Sequence, residues 1–114
     1  MENKRRIGTE YEILGAEFLE QKGYKILERN FRCRQGEIDL IAEKDGVLCF
    51  VEVKYRKNAA YGYPEEAVSY KKQMKLRMVA EFYLVYRKLP LNSSCRFDVI
   101  AVEGQEIRHI INAF

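Results

Sequence analysis

Two β-prone runs that meet at Asp45-Gly46 constrain this chain more than any other feature. Ile38 to Ala42 and Val47 to Val53 are rich in Val, Ile, Leu and Phe, and Asp-Gly between such runs is a strong signal for a two-residue hairpin turn. With Asp45-Gly46 as the loop, Lys44 faces Val47. Stepping away from the turn then pairs Ala42 with Cys49, Leu40 with Val51, Asp39 with Glu52 and Glu37 with Lys54. Strand side chains alternate, so opposed residues share a face, with Cβ atoms roughly 5 Å apart. One face is Ile38, Leu40, Ala42, Val47, Cys49, Val51 and Val53; it carries no charge and is expected to be core. The other holds Ile41, Leu48 and Phe50 near the turn and Glu37, Asp39, Glu52 and Lys54 at the far end. A bulge would offset Asp39 from Glu52 by one residue.

Directly opposed carboxylates repel unless a cation lies between them. Oxygen ligands from one or two carboxylates suit Mg²⁺, and an ion held there polarises a phosphoryl oxygen and acidifies a bound water. Lys54, one strand step beyond Glu52, is spaced to orient that water or to meet charge developing on phosphate. These are the parts of phosphodiester hydrolysis. The same charges also fit a solvated strand end in which Glu37 and Lys54 simply pair. Glu-x-Lys is not informative alone: it begins at Glu2, at Glu20 and at Glu52, and only the last lies in an apolar strand facing an acid.

Around the hairpin the period is helical on both sides. Thr9 or Gly8 can start a helix with Glu10 and Glu12 in its first turn, where acids suit the N-terminal dipole. Tyr11, Ile13, Leu14, Phe18 and Leu19 supply its apolar stripe, and Gly23 ends it. Tyr24 to Phe31 reads as a strand, with Tyr24 and Ile26 on one face. Beyond the loop containing Tyr61-Gly62-Tyr63-Pro64, a second helix runs from about Glu66 to Tyr86, with Val68, Leu76, Val79, Phe82, Tyr83 and Tyr86 apolar. Pro90 and Asn92-Ser93-Ser94 mark a loop. Strands from Arg96 to Val102 and from Glu106 to Asn112 follow, joined around Gly104-Gln105. Helix, three strands, helix and two strands predict one α/β domain over residues 1–114, a mixed β-sheet flanked by helices.

Composition excludes several classes. A chain of 114 residues that is 47% hydrophobic and 32% charged folds as one modest globular domain rather than staying disordered. No apolar run approaches the ~20 residues of a membrane span, and the charged start leads into no apolar segment of a secretory signal. Cys33, Cys49 and Cys95 have no CxxC spacing, and His109 is the single histidine, so zinc and a disulfide framework are unsupported and reduced, cytoplasmic thiols are expected. A net charge of +3 says little until it clusters, as it does at Lys54, Arg56 and Lys57 and at Lys71, Lys72, Lys75 and Arg77.

Gly36-Glu37-Ile38-Asp39-Leu40-Ile41-Ala42, Phe50-Val51-Glu52-Val53-Lys54-Tyr55-Arg56, Arg96-Phe97-Asp98-Val99 and the closing Ile110-Ile111-Asn112-Ala113-Phe114 resemble the signature blocks of the YraN family of bacterial proteins. That family is similar to archaeal Holliday-junction resolvases and to nucleases with a PD-(D/E)xK core. The resemblance spans nearly the whole chain and implies a restriction-endonuclease-like α-β-β-β-α-β core. It implies metal ligands at Asp39 and Glu52, the catalytic lysine at Lys54, and Mg²⁺ or Mn²⁺ as cofactor. A helix glutamate completes related sites; Glu12 aligns with it, and Glu10 is the fallback. Lys72-Gln73 matches a further block that could contact phosphate, though a solvated helix face fits Lys72 as well. Arg56, Lys57 and Lys75 are the other candidate nucleic-acid contacts. Glu37 is expected to partner Lys54, and Asp98 to be structural. Tyr55, Tyr61 and Tyr63 fit either stacking on an unpaired base or packing on the core.

Two functions are therefore in view: a metal-dependent endonuclease acting on DNA, with branched junctions suggested by the resemblance alone, or a non-catalytic nucleic-acid-binding accessory of DNA processing. A junction is two-fold symmetric, so a resolvase needs two sites and is expected to be a homodimer.

Overall fold

The computed structural model describes residues 4–56 and 68–114. Seven elements follow in order: α1 (Lys4–Gln21), β1 (Lys25–Cys33), β2 (Gly36–Lys44), β3 (Val47–Arg56), α2 (Tyr70–Tyr86), β4 (Cys95–Glu103) and β5 (Glu106–Ile110). The strands form one sheet in the order β1-β2-β3-β4-β5. All neighbours are antiparallel except β3 and β4, which run parallel. A parallel pair needs a crossover, and α2 lies in it. The result is the expected α/β arrangement, a mixed sheet flanked by two helices and compatible with a restriction-endonuclease-like core. No helix among the described residues is long and apolar enough to cross a membrane.

The hairpin turn forms as the sequence dictates. Asp45 and Gly46 both have positive φ, at 53° and 77°, which is the conformation that matches the twist of the flanking strands. The register then runs from Lys44 opposite Val47 to Leu40 opposite Val51. Helix α1 also stops at Gly23 (φ 93°), where the Gly23 and Tyr24 amides bond back to the Glu20 and Leu19 carbonyls.

Both sheet faces are covered, as a sheet flanked by helices requires. Leu40, Ala42, Cys49, Val51, Ile100 and Val102 pack with Ala16 and Leu19 of α1. Ile41, Leu48, Phe50, Phe97 and Val99 pack with Leu76, Val79, Ala80, Tyr83 and Leu84 of α2. Each fully buried aliphatic or aromatic side chain contributes about 1.5–3 kcal/mol, so two such layers account for the stability of the sheet between them. The face assigned to charge is thus half core, and the charged end lies beside α2.

Several expectations are corrected. Ile38 joins the α2-side cluster rather than the Leu40 face, because the β2–β3 register ends at Leu40 and the first residues of β2 are held only by β1. Ile13 and Leu14 are exposed; α1 faces the sheet through Tyr11, Gly15, Ala16, Phe18 and Leu19. A Cβ on Gly15 would lie 3.2 Å from Val53 Cγ2, so the missing side chain is what lets the helix approach. Because α1 begins at Lys4, Glu10 and Glu12 lie beyond its first turn and outside reach of the dipole argument. In α2, Ser69 is the N-cap, accepting from Lys72 N at 3.2 Å, whereas the expected start at Glu66 lies outside the described residues. Phe82 and Tyr86 are exposed rather than core. Strand β5 ends at Ile110, two residues short of the expected Asn112.

Candidate active site

Past Leu40 and Val51 the two hairpin strands separate, and the Asp39–Glu52 cross-strand pair expected next gives way to a different contact. Asp39 Oδ2 accepts a hydrogen bond from Val53 N–H at 2.8 Å, so a carboxylate takes a backbone donor of β3. Both carboxylates still end up on the α2 side of the sheet, at one cleft of about 360 Å³ that is also lined by Glu37, Lys54, Lys72 and Lys75.

Glu52 is 5% exposed. Its Oε2 lies 2.9 Å from Lys72 Nζ and 3.7 Å from Lys54 Nζ. Lys72 comes from the first turn of α2, fixed there by the Ser69 cap, and Gln73 beside it donates its side-chain amide to the Val68 carbonyl at 3.1 Å.

The protonation equilibria follow from that geometry. Burial and then the Glu52 charge push the Asp39 carboxyl up to about 8, against the Val53 hydrogen bond and the Lys72 charge. Glu12 adds to the upward push, so the α1 carboxylate acts on this site. Burial, followed by the hydrogen bond and charge of Lys72, lowers the Lys54 ammonium. Burial works against the Lys72 ammonium too, but its hydrogen bonds to Glu52 and Lys54 leave its pKa raised.

Burial and the neighbouring Glu52 charge, rather than any lack of nearby lysines, favour the neutral form of the Asp39 carboxyl. Among the described residues no three His, Cys, Asp or Glu side chains form a metal cage. The donor set fits an open Mg²⁺-type site, in which one or two carboxylates share the ion with waters and phosphate oxygens.

The other predicted residues divide. Glu37 does not partner Lys54: it pairs with Arg32 across the β1–β2 ladder at 2.9 Å, because the separation of β2 from β3 carries it toward β1. Tyr55 stacks on Tyr11, ring centroids 4.0 Å apart. Arg56 ends β3 in register with Glu103, Lys75 is exposed at the cleft, and Lys57, Tyr61 and Tyr63 lie outside the described residues. Asp98 is fully buried and structural, as expected. It accepts two bonds from Arg96 at 2.9 Å, one from Asn112 N at 2.9 Å, and lies 2.7 Å from His109 Nε2. Burial opposes its charge, yet the His109, Arg96 and Asn112 bonds hold its carboxyl below the usual range. Sequence reasoning missed the Lys72–Glu52 pair. Its signal was there: Lys72 falls in helical register with Leu76, Val79 and Tyr83, the buried stripe of α2, and a lysine on such a stripe needs a partner.

A family model described as uncharacterised protein family UPF0102 matches residues 11–102. The chain belongs to the UPF0102 family. This is the YraN family that the sequence blocks resembled. A UPF0102 protein of Lachnoclostridium phytofermentans is 48% identical over 112 residues, covering 98% of this chain and 95% of its own length. Those of Persephonella marina and Desulforamulus reducens are 47% and 45% identical over 107 and 117 residues, covering 94% and 96% of this chain and 91% and 96% of their own. Residues 11–102 include Glu12, Asp39, Glu52, Lys54, Lys72 and Lys75.

Proposed function

We propose that this UPF0102 protein is a metal-dependent endonuclease that hydrolyses DNA phosphodiester bonds, with branched or junction DNA as its substrate class. The observation that carries the reading is the convergence of Asp39 and Glu52 with Lys54 at the separating end of the β2–β3 hairpin. A PD-(D/E)xK nuclease needs these three residue types at one place. In this reading Asp39 and Glu52 hold Mg²⁺ or Mn²⁺, with Glu12 contributing from α1. When bound, the ion supplies a polarised phosphoryl oxygen and an acidified water.

The chain's own residues do the rest. Lys54, whose Nζ lies 3.7 Å from Glu52 Oε2, orients the attacking water and meets the negative charge that develops on phosphate. Lys72 and Lys75 face the cleft and meet phosphate oxygens, with Arg56, Lys57 and Gln73 as the further nucleic-acid contacts of this reading. A two-fold junction needs two such sites, so the acting unit is a homodimer.

The test is cleavage of labelled junction, flap, single-stranded and duplex DNA with Mn²⁺ or Mg²⁺ by the wild type and by Asp39→Ala and Lys54→Ala. Metal-dependent cutting by the wild type and none by either variant is expected. Cutting that survives in Asp39→Ala refutes the site. Binding with no cutting of any substrate refutes the hydrolytic activity and supports a non-catalytic accessory role.

A further inference from the structure

We propose that Lys72 is a tethered counter-cation that holds Glu52 in place of a divalent ion and competes with that ion, and that a nucleic-acid phosphate draws the ammonium away and so favours entry of the ion. The inference rests on Asp39 and Glu52 being the metal ligands.

A carboxylate as buried as Glu52 is costly to keep charged unless a cation meets it directly. Lys72 does so, and at 2.9 Å its ammonium is closer than that of Lys54 at 3.7 Å. The contact is to Oε2, the same oxygen that Lys54 approaches. A metal ion bound to that oxygen at about 2.1 Å would stand only a few ångströms from the ammonium, where two positive charges repel strongly in a partly dry site. The two cations are alternatives.

Lys72 is also the cation that is able to leave. Its side chain is 39% exposed against 17% for Lys54, and it comes from α2, across the cleft from the strand that carries Glu52. Four methylenes from the helix let the ammonium swing to the cleft mouth without moving backbone. A phosphate arriving there offers it a replacement anion, and Glu52 is released to the metal at the same moment. Metal and nucleic acid then favour each other's binding, and by linkage the coupling is reciprocal. Without substrate the ammonium competes with metal loading and weakens it.

The test is Mn²⁺ affinity, measured by calorimetry at one pH and salt, for wild type, Lys72→Met and Lys72→Arg. Lys72→Met is expected to bind Mn²⁺ about tenfold more tightly or better, and Lys72→Arg to stay close to wild type because the cation is kept. Equal or weaker binding by Lys72→Met overturns the proposal, since a residue that only supports the fold cannot improve affinity when removed. A measurement on the wild type avoids dependence on the variants. The nitrogen-15 resonance of the Lys72 ammonium should shift at saturating Mg²⁺, and a resonance that stays in place while Mg²⁺ binds overturns the exchange. No Mn²⁺ binding by any of the three proteins, with or without a phosphorothioate oligonucleotide, refutes the metal site itself.

Discussion

Replacing Asp39 with asparagine should make the protein more stable at neutral pH while removing a metal ligand of the proposed site. Folding raises the Asp39 carboxyl from 3.8 to about 8. The folded state therefore binds a proton that the unfolded state releases, and stability falls as pH rises between those two values. Above the folded value the loss is complete, and near pH 4 it is absent. Each pH unit in that window is worth about 1.4 kcal/mol, which sets a ceiling of roughly 4 kcal/mol at pH 7. Screening at an effective dielectric near 20 reduces this to about half. Asparagine is neutral, keeps an oxygen for the Val53 amide and does not titrate. The gain at pH 7 is then about 2 kcal/mol, or roughly 8 °C in melting midpoint for a chain of this size. Thermal melts in chelator at pH 4.5, 6, 7 and 8 would measure it. The variant's advantage should be near zero at pH 4.5 and grow to pH 8. A variant that melts below wild type at pH 8, or an advantage that is the same at every pH, would show that Asp39 is not held against its charge.

Metal binding should be proton-linked through the same group. At pH 6.5 each Mn²⁺ bound displaces the Asp39 proton, so calorimetric enthalpies should vary with buffer ionisation enthalpy with a slope of about one, fading above pH 9; a flat series would exclude Asp39 as a ligand. Asp98→Ala removes the shared anion of Arg96 and His109 and should cost about 3–5 kcal/mol by denaturant melt, while a loss under 1 kcal/mol would mean the network is solvated. Gly15→Leu drives a side chain into Val53, Leu40 and Ile100, and is expected to lose about 1–3 kcal/mol as α1 is pushed from the sheet; an unchanged melt would contradict that close approach.

The parts of the structure that were legible in the sequence are those set by neighbouring residues. Asp45-Gly46 determines its own turn, and a two-residue turn determines the register for as long as the strands stay paired, which is why the pairs from Lys44–Val47 to Leu40–Val51 follow from one dipeptide. Gly23 ends α1 for an equally local reason. Which helix face meets the sheet is a different kind of question. Small residues at Gly15 and Ala16 outrank the larger Ile13 and Leu14, because closeness of approach depends on what is missing from the surface. Hydrophobic counting cannot read that.

The candidate site begins where local rules stop. Regular pairing would have extended one step to Asp39 and Glu52, and would have left both carboxylates in a ladder, on a half-solvated face, with Glu37 against Lys54. Instead the hairpin parts at that step: Asp39 bonds a backbone amide, Glu37 turns to Arg32, and Glu52 is sealed beneath a helix that arrives from 20 residues further along the chain. One consequence carries a cost that a fold selected for stability alone would avoid: a carboxyl driven to about 8 beside a buried carboxylate. Unfavourable electrostatics of that kind cluster at functional sites, where the surrounding fold maintains them. The break in the hairpin register is therefore itself an argument for function, and Asp39→Asn tests it directly by asking whether the fold is more stable without the charge.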